Sequence, residues 1–114
     1  MPFKTILMLL AFLAQGLISS AQIRVAKNIN YAENNSQENT LNVYYKKDHV
    51  QSQDVLVFIH GGSWSSGKKE TYWWLGRNFS KKNIVTAIIN YPLAPNATYK
   101  EMALASAQAV KWVK

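Results

Sequence analysis

Two predominantly apolar runs constrain the fold of this chain more than any other feature of its sequence. The first is Val55 to Ile59, which reads VLVFI, and the second covers Ile84 to Ile89. Neither alternates apolar with polar residues, which is typical of strands covered on both faces in a parallel sheet. Between them, Glu70 to Lys82 has apolar residues at helical spacing. The order therefore predicts two parallel strands joined by a right-handed helical crossover.

The flanking segments add a hairpin and a last helix. Gln22 to Glu33 contains a predicted strand, Asn34 to Asn39 is a polar turn, and Thr40 to Tyr45 alternates as a second strand. We expect these two strands to form an antiparallel hairpin at the edge of the sheet. Tyr99 to Lys114 is predicted to be a helix. Its expected apolar face comprises Met102, Ala105, Ala109, Trp112 and Val113.

The predicted fold class is therefore α/β, with an antiparallel edge hairpin followed by parallel strands and crossover helices. The apolar face of the last helix needs a covered sheet to pack against, and residues 22–114 offer only two central strands. We expect these residues to form an incomplete domain, which lacks the strands and functional side chains that the rest of such a sheet would supply.

The first 21 residues have the composition of a secretory signal peptide. Lys4 precedes an apolar stretch from Ile6 to Ala14, and Ser19 to Ala21 supplies small residues for cleavage before Gln22. The rival interpretation is an uncleaved anchor, but the apolar stretch is shorter than the roughly 20 residues of a spanning helix. We therefore expect a secreted or periplasmic protein with no stable membrane anchor.

The composition of the chain excludes several kinds of functional site. The chain has no cysteine, which excludes a disulfide framework, a thiolate zinc site and a cysteine nucleophile. Its net charge of +7 comes largely from the lysine pairs 46–47, 68–69 and 81–82. We interpret these as solvated charges of loops and helix ends, because no nucleic-acid-binding motif accompanies them. No metal site, cofactor or nucleic-acid partner is expected, and the oligomeric state stays open.

The run His60-Gly61-Gly62-Ser63-Trp64 directly follows the first apolar strand. Glycines at the carboxyl end of a strand let the backbone turn sharply and bring its N–H groups to a ligand. Fixed N–H groups can stabilise the oxyanion of an acyl-transfer intermediate, and losing one such donor typically raises the barrier by about 3 kcal/mol. A lone histidine at a strand end is more often structural than catalytic.

Four segments resemble the α/β-hydrolase esterases, and most closely their carboxylesterase and lipase group with an HGG-x-W motif. Val55 to Glu70 is similar to that group's oxyanion-hole segment, between its third strand and first helix. Ile89 to Pro95 ends in NYPLAP, which is similar to the family's NYRLAP. The end of the last helix resembles the family's DxxxAxxWV, and Thr40 to Lys47 resembles its strand LDVYYPK. The resemblance covers nearly all of residues 29–114 in order.

The resemblance implies roles for the loop residues. Gly62 and Ser63 would donate backbone N–H groups to the oxyanion, and Gly61 would permit the turn. His60 and Trp64 would organise the loop, and Trp64, Trp73 and Trp74 either line an acyl pocket or, as we prefer, pack the loop against the first helix. The sequence departs from the family at Pro92, usually arginine, at Ala105, usually aspartate, and at Ser63, where the HGGG version has its third glycine.

The catalytic triad is not present in the sequence. In this fold the nucleophile lies in G-x-S-x-G and is followed by an acid and a histidine, and no G-x-S-x-G occurs in these 114 residues. His49 precedes the loop, which is the wrong order for the triad. We therefore expect the N-terminal portion of a serine hydrolase acting on small-molecule esters, or amides, inactive by itself. The alternatives are a non-catalytic secreted module or decayed hydrolase that binds a partner chain, and a basic surface-binding protein.

Overall fold

The computed structural model describes residues 22–48 and 54–114. The predicted signal peptide and His49 lie outside the described residues. Within that part of the chain, no helix is both long and apolar enough to cross a membrane.

Four strands form one mixed sheet. They are β1 (Ile23–Asn30), β2 (Thr40–Lys46), β3 (Val55–Ile59) and β4 (Val85–Ile89), and their spatial order is β1-β2-β4-β3. β1 and β2 are antiparallel, as the hairpin prediction required, and the turn between them contains a short 3₁₀ helix, Gln37–Asn39. β3 and β4 are parallel, and β2 pairs antiparallel with β4. The hairpin therefore adjoins the second apolar strand and not the first.

The first helix, α1, covers one face of the sheet. A 3₁₀ turn at Lys69–Tyr72 leads into α1 (Trp73–Lys81), so the predicted helix begins with a tighter turn. α1 packs on β2 and β4. At Gly76 it approaches the ring of Tyr44 so closely that a Cβ atom would overlap the ring. The sequence marks Gly76 only as a weak helix former, whereas the structure shows that the glycine permits this close packing.

The second helix, α2 (Tyr99–Val113), covers the other face. Leu41 packs with this helix, while Tyr44 three residues along β2 faces α1, as the alternation of side chains in a strand requires. The Thr98 side chain and Glu101 form a reciprocal capping box that fixes the first turn of α2. The apolar core here comprises Tyr31, Leu41, Ile89, Tyr91, Ala97, Met102, Ala105 and Ala109.

Two expectations about burial were wrong. Trp112 is 46% exposed, although it lies two helical turns after the buried Ala105. β3 is not fully covered: Val55 and Ile59 are 45% and 41% exposed, and its outer edge has no neighbouring strand among the described residues. Only β4, which lies between two strands and two helices, is buried as predicted.

Candidate functional site

The loop after β3 has an unusual backbone. Gly62 has a φ of 133°, and the next two residues, Ser63 and Trp64, have φ values of 54° and 63°. A Cβ atom on Gly62 would overlap the carbonyl group of Ser66, so only glycine fits there. Gly61 lies outside the left-handed region, and a Cβ on it would meet open space. The conformational demand of this turn therefore falls on Gly62 and not on Gly61.

The loop leaves two adjacent N–H groups unpaired. The Gly62 carbonyl accepts from the Ser65 and Ser66 N–H groups at 3.2 and 3.1 Å and from Ser66 Oγ at 3.0 Å. In residues 22–48 and 54–114, no protein acceptor takes the N–H of Gly62 or of Ser63, and both residues are exposed. Two neighbouring free donors in a fixed turn can bind one anionic oxygen.

His60 is buried where β3 joins the loop, at 2% exposure. Its ring stacks on Tyr91, with ring centres 4.6 Å apart, and lies nearly parallel to Tyr72 at 6.2 Å. Its Nδ1 lies 2.9 Å from the carbonyl oxygen of Gly61, so Nδ1 carries the proton if this is a hydrogen bond. Nε2 is buried and has no partner among the described residues. Within the part of the chain that the structure describes, His60 forms no hydrogen bond with a serine hydroxyl, which a general base would require.

Trp64 is 59% exposed and meets the edge of Tyr91 at 5.9 Å. It lines a largely apolar cavity of about 560 Å³ between the loop, the end of β3 and α2, whose walls include Ile59, Ala94, Ala97, Tyr99 and Met102. Trp73 and Trp74 are 54% and 50% exposed on α1, which does not match the preferred interpretation that they pack the loop.

The segment after β4 holds the loop, a role that the sequence did not reveal. Tyr91 donates its phenol hydrogen to the His60 carbonyl at 2.7 Å, and Ala94 N–H donates to the Trp64 carbonyl at 2.9 Å. The Asn90 side chain accepts from Lys69 N–H at 2.7 Å. The match of NYPLAP to the family segment marked these residues, but nothing in the sequence tells which groups they contact.

The interpretation of the lysine pairs as solvated charges is wrong for Lys69. Its side chain is 2% exposed, whereas Lys68, Lys81 and Lys82 are exposed as expected. Lys69 Nζ donates to Asn28 Oδ1 at 2.9 Å and pairs with the Glu70 carboxylate. Asn28 stands at a bulge in β1 with a φ of 58°. Lys69 therefore ties the end of the loop to the edge strand, because a buried ammonium needs partners.

The Glu70 carboxylate gives this contact a pH dependence. Burial raises its pKa, but the hydrogen bond from Lys69 and the charges of Lys69 and Lys68 outweigh burial, so the pKa lies below its ordinary value of 4.5. Because its pKa is lowered in the folded state, ionised Glu70 stabilises the fold at pH values above the ordinary pKa. This stabilisation is lost as the pH falls through the folded-state pKa. We expect Glu70→Gln to reduce the loss of unfolding free energy that sets in as the pH falls below about 4.5. Identical pH profiles in urea denaturation would exclude this contribution.

The described residues contain no assembled nucleophile. Ser66 Oγ donates to the Gly62 carbonyl, and no hydrogen bond joins Ser63, Ser65 or Ser66 to an imidazole in residues 22–48 and 54–114. That part of the chain also holds no cluster of three metal-ligating residues. The arrangement can stabilise an anionic oxygen at a loop that also borders an apolar cavity.

Comparison with known proteins relates the sequence of this chain to a family. The BD-FAE family model matches residues 41–114. A probable isoprenylcysteine alpha-carbonyl methylesterase of Oryza sativa subsp. japonica is 26% identical over 95% of this chain. The Arabidopsis thaliana isoprenylcysteine alpha-carbonyl methylesterase is 27% identical over 79%. The chain spans only 26% and 21% of the lengths of these two relatives.

Solved structures give the same fold. Esterase B from Lactobacillus rhamnosis superposes with a TM-score of 0.74 at 16% identity, covering 96% of this chain and 36% of its own. A truncated carbohydrate esterase from gut microbiota superposes with a TM-score of 0.73 at 19% identity, covering 82% of this chain and 33% of its own. Both the sheet and the helices of this chain thus match part of the α/β-hydrolase fold, which confirms the predicted fold class.

Proposed function

Because the chain belongs to the BD-FAE family and has the α/β-hydrolase fold, we propose that it forms the oxyanion-hole portion of a serine esterase. The free N–H groups of Gly62 and Ser63 stabilise the oxyanion that develops when an ester carbonyl is attacked. The observation that carries the proposal is this pair of adjacent unpaired donors in a glycine-dependent turn.

In this proposal His60 and Trp64 organise the loop. The nitrogen that a general base would use, His60 Nε2, is buried and has no hydroxyl partner among the described residues. Trp64, which follows Ser63 in the chain, forms one wall of the apolar cavity. An apolar cavity of this kind suits the acyl chain or leaving group of a small-molecule ester. Carboxylesterase or lipase chemistry on esters is proposed ahead of amide hydrolysis.

The nucleophile, acid and base are proposed to lie outside these 114 residues, so the isolated chain should be inactive. The experiment compares the 114-residue chain with the native gene product, using a fluorophosphonate probe and p-nitrophenyl esters. We expect labelling and hydrolysis only in the native product, on a serine in a G-x-S-x-G peptide. Labelling of the isolated chain, or of Ser63, Ser65 or Ser66 in either sample, would contradict the proposal.

Export is proposed from the first 21 residues, and the same sample tests it. If the signal peptide is cleaved, the native protein outside the cytoplasm begins at Gln22. A product that keeps Met1 and stays with the cell membrane would instead support the anchor interpretation.

The second candidate function is a non-catalytic module that binds a partner chain. It is favoured by the outer edge of β3, which has no neighbouring strand among the described residues, and by half-exposed Val55 and Ile59. This reading requires a native product without a reactive serine that purifies with a second chain carrying G-x-S-x-G. A single-chain product that the probe labels would exclude it.

A further inference from the structure

We propose that Tyr91 and Asn90 are positioning residues for the oxyanion site, because they hold the two ends of the loop that carries it. This role rests on the proposed function, because these side chains determine the direction of the Gly62 and Ser63 N–H groups. Tyr91 acts through the carbonyl and the ring of His60, and Asn90 acts through the backbone N–H of Lys69.

The direction of each N–H donor is set by the carbonyl group of the same peptide. A trans peptide is planar, so its C=O and N–H point in opposite directions and fixing one fixes the other. The Gly62 N–H shares a peptide with the Gly61 carbonyl, which His60 Nδ1 holds at 2.9 Å. The Ser63 N–H shares a peptide with the Gly62 carbonyl, which Ser66 holds.

Tyr91 controls the first of these two peptides through His60. Its hydroxyl donates to the His60 carbonyl at 2.7 Å, and its ring stacks on the imidazole at 4.6 Å with a 23° tilt. The same side chain therefore fixes the backbone where the loop begins and the imidazole that aims the Gly62 N–H. Tyr91 is 2% exposed, so water cannot readily replace its hydrogen bond.

Asn90 holds the other end of the loop. Its Oδ1 accepts from Lys69 N–H at 2.7 Å, while its own N–H donates to the Thr40 carbonyl of β2 at 2.8 Å. Consecutive Cα atoms lie about 3.8 Å apart, so residues 90 and 91 keep the two loop ends at a set separation. Ala94 adds a bond to the Trp64 carbonyl in the middle of the loop.

The decisive experiment compares Tyr91→Phe with Ser80→Ala in the native gene product. Both residues are buried, and their hydroxyls donate to a backbone carbonyl at 2.7 and 3.0 Å, but the Ser80 acceptor is Arg77 in α1, outside the loop and the segment that holds it. We expect Tyr91→Phe to lower kcat for a p-nitrophenyl ester by roughly tenfold, with KM within about twofold. A trifluoromethyl ketone, which forms a tetrahedral oxyanion adduct, should bind Tyr91→Phe weaker by a similar factor. Ser80→Ala should change kcat by less than about threefold.

The outcomes separate the two proposals. A wild-type product without esterase activity defeats the proposed function before any variant is made. An active wild type with equal kcat losses in Tyr91→Phe and Ser80→Ala overturns the positioning role and leaves the proposed function standing. A loss that appears in KM and spares the ketone affinity also overturns it.

A second pair of variants tests Asn90 by rescue. Asn90→Leu removes the acceptor for Lys69 N–H at similar size, and Asn90→Asp keeps an acceptor oxygen. We expect Asn90→Leu to lower kcat by roughly tenfold and Asn90→Asp to recover most of that loss. Equal losses in the two variants would mean that the hydrogen bond to Lys69 does not position the loop.

Discussion

Replacing Gly62 with alanine is expected to lower kcat/KM of the native gene product by roughly 100-fold or more. The new Cβ would overlap the Ser66 carbonyl group, and the φ of 133° disfavours any L side chain. The exposed loop can relieve this clash only by shifting, which moves the Gly62 and Ser63 N–H groups away from a common target. Steady-state ester hydrolysis measures the loss.

Gly61→Ala is the matched comparison for this prediction. The added methyl group enters open space, and the backbone there is outside the left-handed region. Its loss in kcat/KM should be at least about tenfold smaller than that of Gly62→Ala. The unfolding free energies of both variants should lie within about 2 kcal/mol of the wild-type value, because the loop is exposed. Equal losses in activity would show that the Gly62 conformation does not create the site.

Replacing Gly76 with alanine is expected to lower the unfolding free energy by about 1–3 kcal/mol. Helix propensity alone predicts the opposite, a gain of about 1 kcal/mol. The difference arises because the Cβ would overlap the buried Tyr44 ring, which packs directly on the α1 backbone at this point. Chemical denaturation of the native gene product measures the change.

Asn78→Ala is the control on the same helix. Asn78 is exposed, so alanine there should stabilise the protein by up to about 0.7 kcal/mol. Combining Gly76→Ala with Tyr44→Leu should recover part of the loss, because the smaller side chain makes room for the methyl group. Strictly additive effects in this double-mutant cycle would contradict the proposed contact.

The comparison of β3 with β4 shows how far the apolar runs could predict burial. Both runs gave strands at the expected places, since strand propensity and length are local properties. Their neighbours are not local: β4 lies between β2 and β3 and is buried, whereas β3 is half exposed. A run of apolar residues cannot tell which strand occupies the centre of the sheet.

The sequence by itself determined the order of the elements, the hairpin, the parallel pair and the position of the His60–Trp64 loop at the end of a strand. Apolar periodicity, glycine placement and motif resemblance carry that information because they depend on neighbours along the chain. Only the tertiary structure decided that Gly62 carries the left-handed turn, that Lys69 is buried, and that Tyr91 and Asn90 hold the loop. The contacts of Lys69, Tyr91 and Asn90 join residues about 20 to 40 positions apart, which pack together only after the sheet has formed. The Gly62 conformation depends on a nearer contact, with the Ser66 carbonyl, but the shape of that turn is not written in the residue types.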